Sequence, residues 1–95
     1  MRTTVLIRHR VGDFDAWLAV YRGFADAQRA GGVRAHAALS ASGDRTDIVV
    51  THTFDSRAAA DAYLADEDLR AAMAEATVDL ESTTIEFFDE VVAGG

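Results

Sequence analysis

Cysteine does not occur in the 95-residue sequence, which excludes disulfides, thiolate metal sites and thiol nucleophiles. Lysine is absent as well. All nine basic residues are arginine, so neither a Schiff-base lysine nor the lysine of a phosphate-binding loop is available. Positive charge is scarce overall: 16 acidic side chains against nine basic ones give a net charge of −7, which argues against nucleic acid as the partner. Apolar runs are short, so no segment reads as a membrane span. The N-terminus goes from Met1-Arg2-Thr3-Thr4 straight into alternating apolar residues, without the core of a signal peptide, and a cytoplasmic location is expected. Serine-nucleophile motifs, glycine-rich phosphate loops and zinc-binding helix motifs are also missing.

What is present is an ordinary globular composition, 49% hydrophobic and 26% charged, well away from that of disordered chains. The length predicts a single domain over 1–95. A chain this small buries only somewhat more than ~60% of its unfolded surface, so a partner subunit is expected to contribute to stability.

Strand and helix periods alternate along the chain. Thr3 to Val11 is rich in β-branched residues, with Val5, Ile7, His9 and Val11 on one face. Asp13 is placed to cap a helix whose apolar residues Phe14, Trp17, Leu18, Tyr21 and Phe24 recur at helical spacing as far as Gly31-Gly32. Val33 to Ser40 predicts a weaker strand with Arg34 and His36 on its second side, and Ser42-Gly43-Asp44-Arg45 a turn. Asp47 to Phe54 predicts a third strand with Ile48, Val50, His52 and Phe54 on one face. Ser56 caps a further helix carrying Ala60, Tyr63 and Leu64, which restarts at Asp66-Glu67-Asp68 and continues through Leu69 and Met73. Thr83 to Val92 predicts the last strand.

The order β-α-β-β-α-β with two right-handed crossovers is that of an α+β, ferredoxin-like sandwich. Its antiparallel sheet has strand order 4-1-3-2, with both helical segments on one face. The other face shows Leu6, Val49 and Phe88 among threonines and charges, and a second copy of the chain is the expected cover. Arg8 and Arg10 are expected to pair with Glu86 and Glu90 on that face.

Val11-Gly12-Asp13-Phe14-Asp15-Ala16-Trp17 with Tyr21, then Val50-Thr51-His52-Thr53-Phe54-Asp55-Ser56, then Asp68-Leu69-Arg70-Ala71-Ala72-Met73 make a pattern that resembles the dimeric α/β-barrel proteins. That grouping includes antibiotic-biosynthesis monooxygenases and small proteins labelled polyketide cyclases. The resemblance covers nearly the whole chain. It implies a cavity between sheet and helices, two sheets facing each other in a homodimer, and, for the monooxygenases, oxidation of aromatic polyketides without flavin, haem or metal. Many of those monooxygenases carry a histidine in the second helix; the matching stretch here is Ala62-Tyr63-Leu64-Ala65-Asp66, with tyrosine in its place.

The residues that can carry chemistry are His9 and His52. Each falls on the helix-facing side of its strand, four positions before a helix cap. With the first and third strands read as parallel neighbours about 4.8 Å apart, both rings are expected at one end of the sheet, within one side-chain contact. There they would divide the general acid and general base roles; the alternative is a pair of core histidines bonded to backbone or tyrosine. Trp17, Tyr21, Tyr63 and Met73 are expected to close a flat apolar slot above them, with a tyrosine hydroxyl as polar handle. No third ligand accompanies the histidines, so no metal site and no cofactor are expected. His36 is expected to face the partner side of an edge strand, in a structural role. The reading is a cofactor-free cyclase of specialised metabolism acting on a small apolar substrate. The alternatives are a cofactor-independent monooxygenase and a non-catalytic, small-molecule-binding or stress-related dimer.

Overall fold

The computed structural model describes residues 1–93; the last two positions of the expected 1–95 unit lie outside the described residues. The elements are β1 (Thr3–Val11), α1 (Phe14–Gly23), α2 (Ala25–Ala30), β2 (Ala35–Ala41), β3 (Asp44–Phe54), α3 (Arg57–Leu64), α4 (Glu67–Glu75) and β4 (Val78–Asp89). One four-stranded sheet has the order β2-β3-β1-β4, and every neighbouring pair is antiparallel. This is the ferredoxin-like α+β architecture that the sequence predicts. Among the described residues no helix is long and apolar enough to cross a membrane.

β1 is central, and its alternation is the one read from sequence: Val5, Ile7, His9 and Val11 are buried under the helices. The expected single first helix is two. Asp13 caps α1 by accepting from the Ala16 amide at 3.2 Å. The helix then breaks at Phe24, whose amide is shared between the Val20 and Tyr21 carbonyls at 3.0 and 3.2 Å, a tightened last turn that follows the weak helix former Gly23. α2 ends as expected at the glycine pair, with Gly32 at φ +96°, a left-handed conformation that favours glycine. Ser56 and Asp66 cap α3 and α4 through the Ala59 and Asp68 amides. Ala60 and Tyr63 of α3 are buried, whereas α4 has no buried residue.

Two irregularities shift the sheet from a simple reading. Across the β2–β3 turn Ala41 pairs with Asp44, but Ser40 already pairs with Ile48, so β3 carries three extra residues there. An odd insertion reverses which side of β2 matches which side of β3. β4 begins at Val78, opposite Val11, rather than at Thr83, and bulges between its pairings with Arg10 and Arg8. The Arg10 amide donates to the Ser82 hydroxyl at 2.8 Å within that bulge. β4 stops at Asp89, so Val91 and Val92 lie exposed beyond it.

The face away from the helices exposes Leu39 and Phe88, with Leu6 and Val49 half-buried. Its arginines turn the other way from the expected pairing. Arg8 bonds both carboxylate oxygens of Asp47 at 3.0 and 2.7 Å, and Arg10 reaches Asp44 at 3.1 Å. Glu86 stands opposite Leu6 instead, and Glu90 follows the last residue of β4.

Candidate functional site

His52 faces Val5 on β1 and His36 on β2, while His9 faces Ile48. The two histidines share the helix-covered side of the sheet, as expected, but not one end of it. β1 and β3 are antiparallel, not parallel, so the caps that follow them lie at opposite ends. The offset of four pairs separates the two backbones by about 14 Å along the strands, at ~3.4 Å per residue.

A row of rings spans that gap. His9 meets the edge of Trp17 at 6.2 Å between centroids. Trp17 stacks on Tyr21 at 5.0 Å, and Tyr21 lies nearly parallel to His52 at 6.5 Å. Trp17 and Tyr21 are one helical turn apart on α1, so they lie over successive positions of the sheet beneath. Tyr63 from α3 stands perpendicular to His52 at 5.6 Å.

These residues line a cavity of about 390 Å³ between sheet and helices, within the size range of small-molecule sites. His9, His52, Trp17, Tyr21, Tyr63 and Met73 all contribute to its wall, so the sequence-predicted residues are brought to one space. Its walls also include the exposed side chains Arg70, Leu80 and Ile85, which put its mouth between α4 and β4.

The polar atoms inside are unusual. Both ring nitrogens of His9 and of His52, the Tyr63 hydroxyl and Gln28 Oε1 are buried with no hydrogen-bond partner in the chain. All four side chains line the cavity. A buried polar atom left unpaired costs about 1–3 kcal/mol, so four such side chains facing one space mark it as a place for a polar partner. Burial, together with the nearby His36, lowers the His52 imidazole to about 4, and burial lowers His9 too. Burial raises the Tyr63 phenol well above its ordinary value; repulsion from a Tyr21 phenolate, where one forms, and the Asp66 charge add to this. Burial also raises Tyr21, against a smaller opposing pull from the Gln28 side chain. At neutral pH His9 and His52 are therefore uncharged, able to accept one proton and donate another, and Tyr63 is a donor. Among the described residues no three His, Cys, Asp or Glu side chains gather as a metal site would need.

Two site residues escape the sequence reading. His36 is not on the partner side. The odd insertion at the β2–β3 turn puts it opposite His52, where its Nδ1 lies 2.7 Å from the Tyr21 hydroxyl. Gln28 is 3% exposed and occupies the next position of the apolar stripe that runs through Tyr21 and Phe24. A polar residue at a stripe position was the available signal.

No protein-family model matches the sequence, and no curated protein matches it either. Solved structures do share its fold. SnoaB, a cofactor-independent oxygenase from Streptomyces nogalater, superposes with a TM-score of 0.80 at 16% identity, over 97% of this chain and 95% of that one. An antibiotic biosynthesis monooxygenase gives 0.74 at 20% identity, over 95% and 99% of the two chains. A protein of unknown function from Nitrosomonas europaea gives 0.78 at 22%, over 98% and 92%. At these identities the likeness is one of fold, and the fold is the one that the sequence resemblance implies.

Proposed function

We propose that the chain is a cofactor-independent oxygenase acting on a flat, hydroxylated aromatic molecule of the reduced polyketide kind. The observation that carries this reading is the single cavity that collects the unpartnered polar atoms of His9, His52, Tyr63 and Gln28 among stacked aromatic rings. Support comes also from the shared fold with SnoaB, itself a cofactor-independent oxygenase.

In this reading His52 is the base. It takes the proton of a substrate enol or phenol, and Tyr63 donates a hydrogen bond to the oxygen that becomes anionic. Burial makes a lone imidazolium costly at His52, and the anion formed beside it supplies the missing opposite charge. One electron passes from the substrate anion to dioxygen, and the two radicals combine to form a C–O bond. The imidazolium returns its proton to the peroxide. Loss of water then leaves a carbonyl, so a CH2 group and one O2 become C=O and one H2O. His9, some four residue pairs away, binds the far end of the substrate rather than sharing the proton transfer.

With hydroxylated tricyclic ketones as substrates, one O2 is consumed per product. His52→Ala lowers turnover by about 10²–10⁴-fold, and His9→Ala acts mainly on KM. Full activity in His52→Ala sinks the mechanism. Product formation without oxygen uptake supports the second reading, a cyclase. There His52 removes a proton next to a carbonyl held by Tyr63, a pairing favoured by their 5.6 Å approach.

The chain is proposed to work as a cytoplasmic homodimer. Its open sheet face, with Leu39, Phe88, Leu6 and Val49, would be covered by a second copy across a two-fold axis.

A further inference from the structure

Gln28 places an unpaired amide oxygen where the fold calls for an apolar side chain. It sits 3% exposed on the stripe that carries Tyr21 and Phe24, and its Oε1 has no partner. A leucine or methionine there would continue the stripe without an unpaired amide oxygen, whose burial costs about 1–3 kcal/mol. Positions that break a local folding rule are where function is expected to compensate.

The surroundings say which atom of the amide is left over. The Tyr21 hydroxyl lies 2.7 Å from His36 Nδ1, so it can donate there and accept on its other side. The Gln28 amide N–H suits that acceptor, and the Gln28 side chain does oppose the rise of the Tyr21 pKa. This leaves the carbonyl oxygen toward the cavity that Gln28 lines. A carbonyl oxygen only accepts, so what meets it must be a donor. The end of the cavity is fixed as well. One turn after Gln28, a Cβ on Gly31 would stand 2.6 Å from Tyr63 Cδ1, so this helix passes against the tyrosine that abuts His52.

We propose that Gln28 is the specificity-determining residue of the site. Its Oε1 accepts a hydrogen bond from a second hydroxyl or N–H of the ligand, close to the group that His52 and Tyr63 engage. This deepens the ligand-binding reading of the same cavity and rests on it. A ligand bearing an ether or hydrogen at that place leaves the amide oxygen unpaired and binds more weakly.

The test is calorimetric binding of 2,3-, 2,6- and 2,7-dihydroxynaphthalene, each against its monomethyl ether, to the wild-type protein and to Gln28→Leu and Gln28→Met. One hydroxyl is common to each pair, and the second is present in the diol alone. At least one diol is expected to bind the wild type on the order of tenfold tighter than its ether. That preference should fall to within about twofold in either folded variant, with the ether still bound. The steric demand of the methyl group is common to all three proteins. A preference that persists in the variants, or none in the wild type, overturns the role of Gln28 while leaving the cavity as a ligand site. Failure of every compound to bind every protein overturns the ligand-binding reading together with it. Selective binding of a diol, with no oxygen uptake when hydroxylated tricyclic ketones are supplied, leaves Gln28 in place and removes only the oxygenase chemistry.

Discussion

Gly31 leaves the space that the ring of Tyr63 fills: a Cβ at this position would lie 2.6 Å from Tyr63 Cδ1 and 3.1 Å from Cε1. Real side chains do not approach so closely, and moving the ring would disturb its contacts with Phe54 and His52. Gly31→Ala is therefore expected to displace Tyr63 and to cost about 1–3 kcal/mol, the usual price of overpacking. Urea unfolding measures the cost. A variant as stable as the wild type would show that the ring moves freely.

Stability should depend on pH through the buried histidines. His52 is held near 4 in the fold against an ordinary 6.5, and His9 is lowered in the same direction. Between those values the unfolded chain binds more protons than the folded one. The stabilisation is complete above about 6.5 and is lost as pH falls toward 4, by up to about 3 kcal/mol from His52. Thermal melting from pH 7 to pH 4.5 should show this fall, and His52→Phe should flatten it. An equal slope in the variant would place the titration elsewhere.

Thr77 is a β-branched residue at φ +62°, where the backbone favours glycine. It is kept by what it ties. Its carbonyl accepts from the Gly12 amide at 2.9 Å, and its hydroxyl accepts from the Asp13 amide at 3.0 Å, joining the end of α4 to the start of α1. Thr77→Ala and Thr77→Gly both lose the hydroxyl, but only alanine keeps the strain. The glycine variant should be the more stable of the two by about 1 kcal/mol. The reverse order in denaturant titrations would deny the strain.

The homodimer proposed above should give a light-scattering mass near twice that of one chain at micromolar concentration. Phe88, 48% exposed on the open face, is a large apolar side chain at which a charge should oppose association. Phe88→Asp is expected to weaken association and lower the melting temperature together, as in small dimers whose monomer is marginal. A stable wild-type monomer across that range overturns the assembly.

Alternation and helical spacing were enough to put His9, His52, Trp17, Tyr21, Tyr63 and Met73 around one space, because each rule is local to its own element. The distance between the histidines was not legible. It depends on how two strands far apart in sequence run past each other, and the antiparallel ladder moves His9 four pairs from His52. The side of the sheet that His36 takes is hidden for a related reason. The three-residue insertion in β3 lies among polar turn residues, where no apolar period marks the register. The early start of β4 was hidden by Asp79, Glu81 and Ser82, polar residues that sit in a bulge instead of an alternating ladder.

α4 walls one side of the cavity mouth without burying any residue of its own; Leu69, Ala72 and Met73 reach only half-burial. What lies beneath it is space more than sheet, so lifting this helix forfeits little apolar contact. Its amides should exchange with solvent far sooner than those of β1, which is held on both sides. A bound aromatic molecule would supply the missing floor, and protection along α4 should rise with occupancy. If the cavity takes the proposed ligand, that molecule completes the packing under α4, and deuterium uptake by α4 gauges how full the cavity is.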